Sequence, residues 1–233
     1  MRFVDNQSAL RSICASKRSQ QLGGLLCCVL LLGCLSSRAA KPVPSQEICD
    51  DEADRLLAAE EWLKTIERHQ EIIRQAPDFA LAHYHLGIAY GQIEQYDQEV
   101  SEYRRAIALG LKKADLYYNL GIALGEDFRD YPGAIAAFTD AVRLAPNDAD
   151  FHYNLGFAYQ LNNEQGPAER ELQEALRLDP TYLQARLSLG SLYADQKEFQ
   201  KAKEQWNEVI TLDPSNAEAR ANLHWLQELE QRE

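Results

Sequence analysis

Histidine, cysteine and clustered acidic residues are the side chains of this chain that could perform acid–base catalysis or bind a metal ion. The one adjacent cysteine pair, Cys27-Cys28, lies within an apolar stretch, and the acidic runs at 50–52 and 148–150 are placed like helix-start residues. Four histidines have the spacing of residues that pack between helices or lie on a helix surface: His83, His85, His152 and His224. No glycine-rich phosphate-binding loop is present in the sequence. We therefore expect no catalytic residue, no metal site and no cofactor, and we predict that the protein is not an enzyme.

The glycines instead belong to a pattern that returns along the chain at almost fixed spacing. The pair Leu86-Gly87 recurs as Leu120-Gly121, Leu155-Gly156 and Leu189-Gly190, and then as Leu223-His224. The steps between successive copies are 34, 35, 34 and 34 residues. The elements that position any functional residue are therefore repeated units, not one globular core.

Each copy carries further residues at fixed places after the glycine. A tyrosine or leucine follows at the third place, and a small or acidic residue comes later. The large apolar residues that follow are Tyr103, Phe138, Leu172 and Trp206, and three copies end at Pro146, Pro180 and Pro214. Apolar residues fall at helical spacing, which predicts two amphipathic helices of about 13 residues in each copy. The small residues allow adjacent helices to approach closely, and proline ends the second helix.

This pattern resembles the tetratricopeptide repeat, which has a Leu-Gly pair, then tyrosine, alanine, an aromatic residue and proline at a 34-residue period. The resemblance covers residues 46–233. It implies an all-α, right-handed α-solenoid of about five helix-turn-helix repeats followed by a C-terminal capping helix. The handedness comes from the resemblance alone.

The pattern also divides the chain into units. Residues 46–79 form a degenerate first repeat in which Glu52-Ala53 replaces Leu-Gly. One extra residue near Asp127 lengthens the turn between the helices of one copy, and Pro132 suits the start of its second helix. The clear repeats are numbered 2 to 5 and are followed by the capping helix: 80–113, 114–148, 149–182, 183–216 and 217–233.

In tetratricopeptide domains the first helices line a concave groove, which implies a groove in this chain too. The second, fifth, sixth and ninth positions of each first helix would face it. The matching residues are Leu81, Tyr84, His85 and Ile88; Asp115, Tyr118, Asn119 and Ile122; Asp150, Tyr153, Asn154 and Phe157; and Gln184, Leu187, Ser188 and Ser191.

Two interpretations of this groove are open. An exposed apolar strip flanked by acids would bind a protein or peptide with apolar anchors and basic residues. Alternatively, these tyrosines and isoleucines complete the packing between helices or are covered by residues 40–60. The groove positions contain no lysine or arginine, so binding of a C-terminal carboxylate, as in chaperone-binding relatives, is disfavoured next to Asp115 and Asp150.

Charge is distributed unevenly along the chain. Residues 1–45 contain six basic residues and one acidic residue, whereas residues 46–233 contain 18 basic and 35 acidic residues. An acidic body repels phosphate backbones, so we expect no binding to nucleic acid. All five cysteines precede the first clear repeat, so packing without disulfides must stabilise the repeats.

The first 40 residues have the form of an export signal, with a basic flank, an apolar centre of about 14 residues and then small residues. Cleavage after Ala39, lipidation of Cys34 in a segment that resembles a bacterial lipobox, and retention as a signal anchor are the three alternatives. An organelle transit peptide is a further, less favoured alternative. Residues 41–45 form a linker. The sequence thus predicts an exported or membrane-associated protein.

We predict a non-catalytic protein-interaction scaffold that binds a peptide or protein segment in its groove. One alternative is an assembly factor for a membrane protein complex, as some membrane-tethered tetratricopeptide proteins are, including those that serve photosystem assembly. Another is a structural subunit that self-associates.

Overall fold

The structure, a computed structural model, describes residues 50–231, and every regular element in that range is an α-helix. In chain order these helices are α1 (Asp51–Ala58), α2 (Trp62–Gln75), α3 (Ala80–Gln92), α4 (Tyr96–Ala108), α5 (Ala114–Glu126), α6 (Tyr131–Leu144), α7 (Ala149–Leu161), α8 (Gln165–Leu178), α9 (Leu183–Asp195), α10 (Phe199–Leu212) and α11 (Ala217–Glu230).

The helices pack in consecutive pairs, α3 with α4, α5 with α6, α7 with α8 and α9 with α10, and each pair also packs on the next. Helices of these pairs contain 13 or 14 residues. The predicted all-α stack of helix pairs is confirmed.

A small residue on the first helix and a large one on the second form the centre of each pair. A Cβ added at Gly87 would lie 2.5 Å from the Tyr103 ring, and one added at Gly121 would lie 2.6 Å from the Phe138 ring. The second-helix rings fill the space that glycine leaves, because a side chain there would overlap them. This contact explains why Leu-Gly and a later large residue recur together.

The turns between paired helices have a common backbone geometry. Glu94 has a φ of 60°, its N–H bonds to the Gly91 carbonyl at 3.2 Å, and the Gln95 N–H bonds to the Tyr90 carbonyl at 2.9 Å. These two bonds form a Schellman motif, which satisfies the last carbonyls of the first helix. Residues at the same place in the other turns also have positive φ: Glu60, Arg129, Asn163 and Lys197.

Local sequence signals also position the helix starts. The Asp148 side chain accepts hydrogen bonds from the backbone N–H groups of Asp150, at 2.9 Å, and Phe151, at 3.3 Å. Asp50 caps α1 in the same way through the Ala53 N–H at 2.7 Å. The prediction that these acidic runs start helices is confirmed. The longer turn also occurs, because α5 ends at Glu126 and α6 begins at Tyr131 with proline in its first turn.

Buried apolar residues form two large clusters along the stack. One extends from Ala53 to Ala158 and the other from Tyr153 to Leu226, and Tyr159 packs against both. The interior is therefore a row of similar interfaces that continues from pair to pair, as expected when each repeat contacts its neighbours.

The predictions for residues 1–45, including the export signal, lipidation of Cys34 and the linker, lie outside the described residues. Between residues 50 and 231, no helix combines the length and apolar character that crossing a bilayer requires.

Candidate functional site

The first helices of the pairs form a layer of their own. Helix α3 touches α5, and α7 touches α9. These contacts form although α4 lies between α3 and α5 in the chain, and α8 lies between α7 and α9. Most residues of these helices are buried, whereas each second helix buries one face. We call this layer of α3, α5, α7 and α9 the inner layer, and it contains the predicted groove positions.

The three tyrosines predicted to line the groove are buried in the inner layer. Tyr84, Tyr118 and Tyr153 have exposed fractions of 8, 6 and 4%. The Tyr118 ring stacks on Phe151 of the next first helix with centroids 5.0 Å apart, and Tyr153 lies equally close to Tyr182. The expectation of an exposed tyrosine strip therefore differs from the structure, because periodicity does not distinguish an exposed stripe from one that adjacent helices cover.

Two asparagines join adjacent first helices through these tyrosines. The Asn119 Nδ2 donates to the Tyr84 hydroxyl at 3.4 Å, and the Asn154 Nδ2 donates to the Tyr118 hydroxyl at the same distance. Burial and the nearby Asp115 charge raise the pKa of Tyr84 well above its ordinary value. The amide and hydroxyl groups thus make structural contacts between repeats.

Other predicted groove residues keep part of their surface accessible. Asp115 is exposed. Five are half-buried: Ile88, Asp150, Phe157, Gln184 and Ser191. Four more are buried with the tyrosines: Leu81, Ile122, Leu187 and Ser188. Ile88, Asp115, Asp150 and Phe157, which come from three consecutive first helices, are called the accessible strip below. Their part in partner binding stays a prediction.

The accessible strip has an acidic character. Partial loss of hydration and repulsion by Asp148 raise the pKa of Asp115, although the residue is exposed overall. Asp150 accepts a hydrogen bond from the Tyr182 hydroxyl at 2.6 Å. Burial, together with the Asp150 charge, raises the pKa of Tyr182 far above the physiological range, so this hydroxyl stays a donor. A cation next to these carboxylates would be favoured.

A buried polar cluster near α1 was not predicted. His69 Nδ1 bonds to the Thr65 carbonyl at 2.8 Å, and its Nε2 lies 3.3 Å from His85 Nδ1, which is 3.8 Å from Asp54 Oδ1. Burial lowers the pKa of His69 and lowers that of His85 to about 3, so both rings are neutral at pH 7. The 34-residue spacing could have identified the position of His69, because this residue lies one repeat length before Tyr103.

The remaining predicted histidines pack or lie at the surface, as expected. His83 and His152 are buried between a carboxylate and a backbone carbonyl, and His224 is exposed. Within residues 50–231, no group of three or more histidine, cysteine or acidic residues has an arrangement suited to a metal ion.

Comparison with protein-family models agrees with this geometry. A TPR repeat model matches residues 130–163. A tetratricopeptide repeat model matches residues 167–223, and another matches 80–109 and 149–182. No protein with a curated description matches the sequence.

Solved structures share the fold. YrrB, whose crystal structure is described as that of a TPR protein with an unusual peptide-binding site, superposes with a TM-score of 0.70 and 22% identity, covering 72% of this chain and 87% of that one. A crystal structure of MamA gives 0.67 and 21%, covering 72% and 97%. MamA from Desulfovibrio magneticus RS-1 gives 0.66 and 23%, covering 72% and 94%.

The family models together match more than half of the 233 residues. Because the helices of the matched residues also pack in the consecutive pairs described above, the chain belongs to the tetratricopeptide repeat family.

Proposed function

We propose that this protein is a non-catalytic scaffold that binds a segment of another protein along its inner layer. The observation that carries the proposal is the accessible strip, where Ile88 and Phe157 are half-buried and Asp115 is exposed. Partly covered apolar side chains beside carboxylates suit a ligand that brings both apolar and charged groups. The peptide-binding site named for YrrB supports this use of the fold.

The charge of the strip indicates the chemistry of the partner. Asp115 and Asp150 lie on neighbouring first helices. Partial burial, together with repulsion by the nearby Asp148, raises the pKa of Asp115. A lysine or arginine of the ligand would reduce this repulsion, and an acidic ligand would increase it. We therefore propose a partner segment with basic residues next to aliphatic or aromatic anchors.

The experiment is selection of random peptides displayed on phage with the purified protein as bait. We expect enriched peptides that combine lysine or arginine with apolar residues, and weaker capture of these peptides by Asp115→Lys. Glu208→Lys is the matched control, because it makes the same charge change at an exposed position of α10. Equal loss in both variants would indicate a general charge effect, and no enrichment would contradict the scaffold proposal.

The cellular setting is also a proposal. The first 40 residues have a basic flank and an apolar centre, which supports export or attachment to a membrane. A stoichiometric partner recovered from detergent-solubilised membranes would favour an assembly factor for a membrane complex. Concentration-dependent self-association that blocks peptide capture would favour a structural subunit.

A further inference from the structure

The accessible strip contains an apolar row that continues to the last helix. Ile88 and Phe157 stand at the ninth position of their first helices, and Trp225 has the same position in α11, 34 residues after Ser191. Trp225 is half-buried, and its ring meets that of Phe199 edge to face, with centroids 6.2 Å apart. The inner side of the stack thus offers partly covered apolar side chains from repeat 2 to α11.

Carboxylates accompany this apolar row. Asp115 and Asp150 stand at the second position of α5 and α7, and Glu218 has the same position in α11. Burial raises the pKa of Glu218, and burial together with repulsion by Asp148 raises that of Asp115. Lys113 offsets part of the charge around Asp115, but its effect is smaller than that of Asp148. A further cation on this side of the stack is therefore favoured.

The first helix places the start of the described chain beside the same layer. Helix α1 follows Asp50, and Oδ1 of its Asp54 lies 3.8 Å from Nδ1 of His85, a predicted groove residue on α3. The charge of Lys113, at the start of α5, acts on both Asp54 and His85. Residues 42–49 can extend over at most about 28 Å, whereas adjacent packed helices are only about 10 Å apart. The chain before residue 42 is therefore within reach of the accessible strip.

Residues 17–41 have the chemistry that the accessible strip favours. Within this segment no residue is acidic, and the apolar centre, residues 22–35, is flanked on both sides by basic residues. The basic residues are Lys17, Arg18, Arg38 and Lys41. Exposure of the apolar centre to water is unfavourable, and contact with the apolar row would remove part of its surface from water. The segment thus combines the two features proposed for a ligand of the strip.

We propose that residues 17–41 occupy the accessible strip of their own molecule while the chain is uncleaved. The basic residues lie next to Asp115 and Asp150, and the apolar centre lies on Ile88 and Phe157. Because segment and strip belong to one chain, the segment competes with other ligands at an effective concentration on the order of 1 mM. Cleavage of the segment, or its insertion into a membrane, opens the strip. The location rests on the proposed function, whereas the contact requires no external partner.

Cross-linking tests this contact in the full-length chain, because the sequence has no cysteine after Cys49. Phe157→Cys places a thiol in the strip, and Glu208→Cys is the matched control at an exposed position of α10. A short bismaleimide joins nearby thiols, and mass spectrometry of digests identifies the joined pairs. We expect the thiol in the strip to be joined to a cysteine of the apolar centre several times faster than the control thiol. Ile88→Cys repeats the measurement on α3, and circular dichroism checks that each variant is folded.

Charge reversal tests the electrostatic part of the contact. In the Phe157→Cys protein, Asp115→Lys should slow the cross-link several-fold, and Glu208→Lys should leave its rate unchanged. Replacing the four basic residues of the segment with glutamate should also slow the cross-link. Peptides selected in the phage experiment should bind this four-glutamate protein several-fold more tightly than the parent, because the intramolecular competitor is weakened.

The outcomes separate this proposal from the scaffold proposal. Equal cross-linking rates at the strip and at the control position would overturn the self-contact, and products that join two chains would instead identify a second copy as the occupant. Cross-linking in the strip, with no peptide enriched even on the four-glutamate protein, would support the self-contact and contradict the scaffold. Peptides that depend on Asp115 but bind the parent and the four-glutamate protein equally would support the scaffold and overturn the self-contact.

Discussion

The buried carboxylate of Glu99 occupies the place where a side chain of Gly91 would stand. Glu99 lies on α4 and has no exposed surface, and a Cβ added at Gly91 on α3 would lie 2.5 Å from its Cδ and Oε1 atoms. In repeat 5 the matching residues, Ala194 and Ala202, are both alanine and both buried. Repeat 2 thus combines glycine with a large acid where repeat 5 combines two small residues.

Gly91→Ala should therefore destabilise the protein by roughly 1–3 kcal/mol, since the buried carboxylate has to move. Adding Glu99→Ala, which copies the pair in repeat 5, should recover much of this loss. Urea unfolding of the two variants and the parent measures both effects. Gly125→Ala is the control, because its Cβ would meet the Ala134 Cβ at an ordinary 3.5 Å. A double variant no more stable than Gly91→Ala would contradict this account.

The sequence alone predicted the helix pairs, because the contact between Gly87 and Tyr103 needs a fixed spacing that returns with every copy. It did not predict the burial of Tyr118, since the ring is covered by Phe151 of the next repeat and helical periodicity is the same for exposed and covered stripes. The 34-residue spacing marks the position of His69, but a polar residue at an otherwise apolar position does not indicate its partner, so the contact with His85 is known only from the structure. Partner contacts leave no periodic signal and stay a prediction.

The bond between Asn154 and Tyr118 should have a measurable share in stability. Tyr118→Phe removes a hydroxyl that accepts from the buried Asn154 Nδ2, so a loss of about 1 kcal/mol is expected. Tyr118→Ala should cost more, about 3–5 kcal/mol, because the ring is 6% exposed. Thermal unfolding measures both. Tyr117→Phe is the control, since no hydrogen bond to its hydroxyl occurs within the described part of the chain. If Tyr117→Phe lost as much stability as Tyr118→Phe, the contribution assigned to the bond between Asn154 and Tyr118 would be contradicted.

Lys197 is expected to be less suitable than glycine at its position. Its φ of 62° lies in the left-handed region, which costs an L-residue roughly 1–2 kcal/mol. Lys197→Gly should raise the free energy of unfolding by about 1 kcal/mol, since the Schellman bonds to the Ala194 and Tyr193 carbonyls do not use the side chain. Gln196→Gly, at a φ of −78°, should not stabilise the protein. Equal effects of the two glycines in urea unfolding would show that this strain is negligible.

The neutral pair of His69 and His85 should make the protein sensitive to acid. Burial lowers the folded-state pKa of His85 to about 3, below its ordinary value of 6.5. Its contribution to stability is therefore complete above about pH 6.5 and is lost as the pH falls toward the folded-state pKa, because the unfolded chain binds the proton first. The free energy of unfolding is expected to fall by about 1 kcal/mol per pH unit, which is the effect of one proton taken up on unfolding.

His85→Asn tests this directly, because asparagine occupies the same position in repeats 3 and 4 as Asn119 and Asn154. Denaturant unfolding between about pH 6.5 and about pH 5 stays above the range in which ordinary carboxylates titrate. The variant should lose stability less steeply than the parent over this interval, and His224→Asn, at an exposed position, should match the parent. If the His85→Asn slope equals the parent slope, His85 does not take up the proton on unfolding, and the acid sensitivity has another origin.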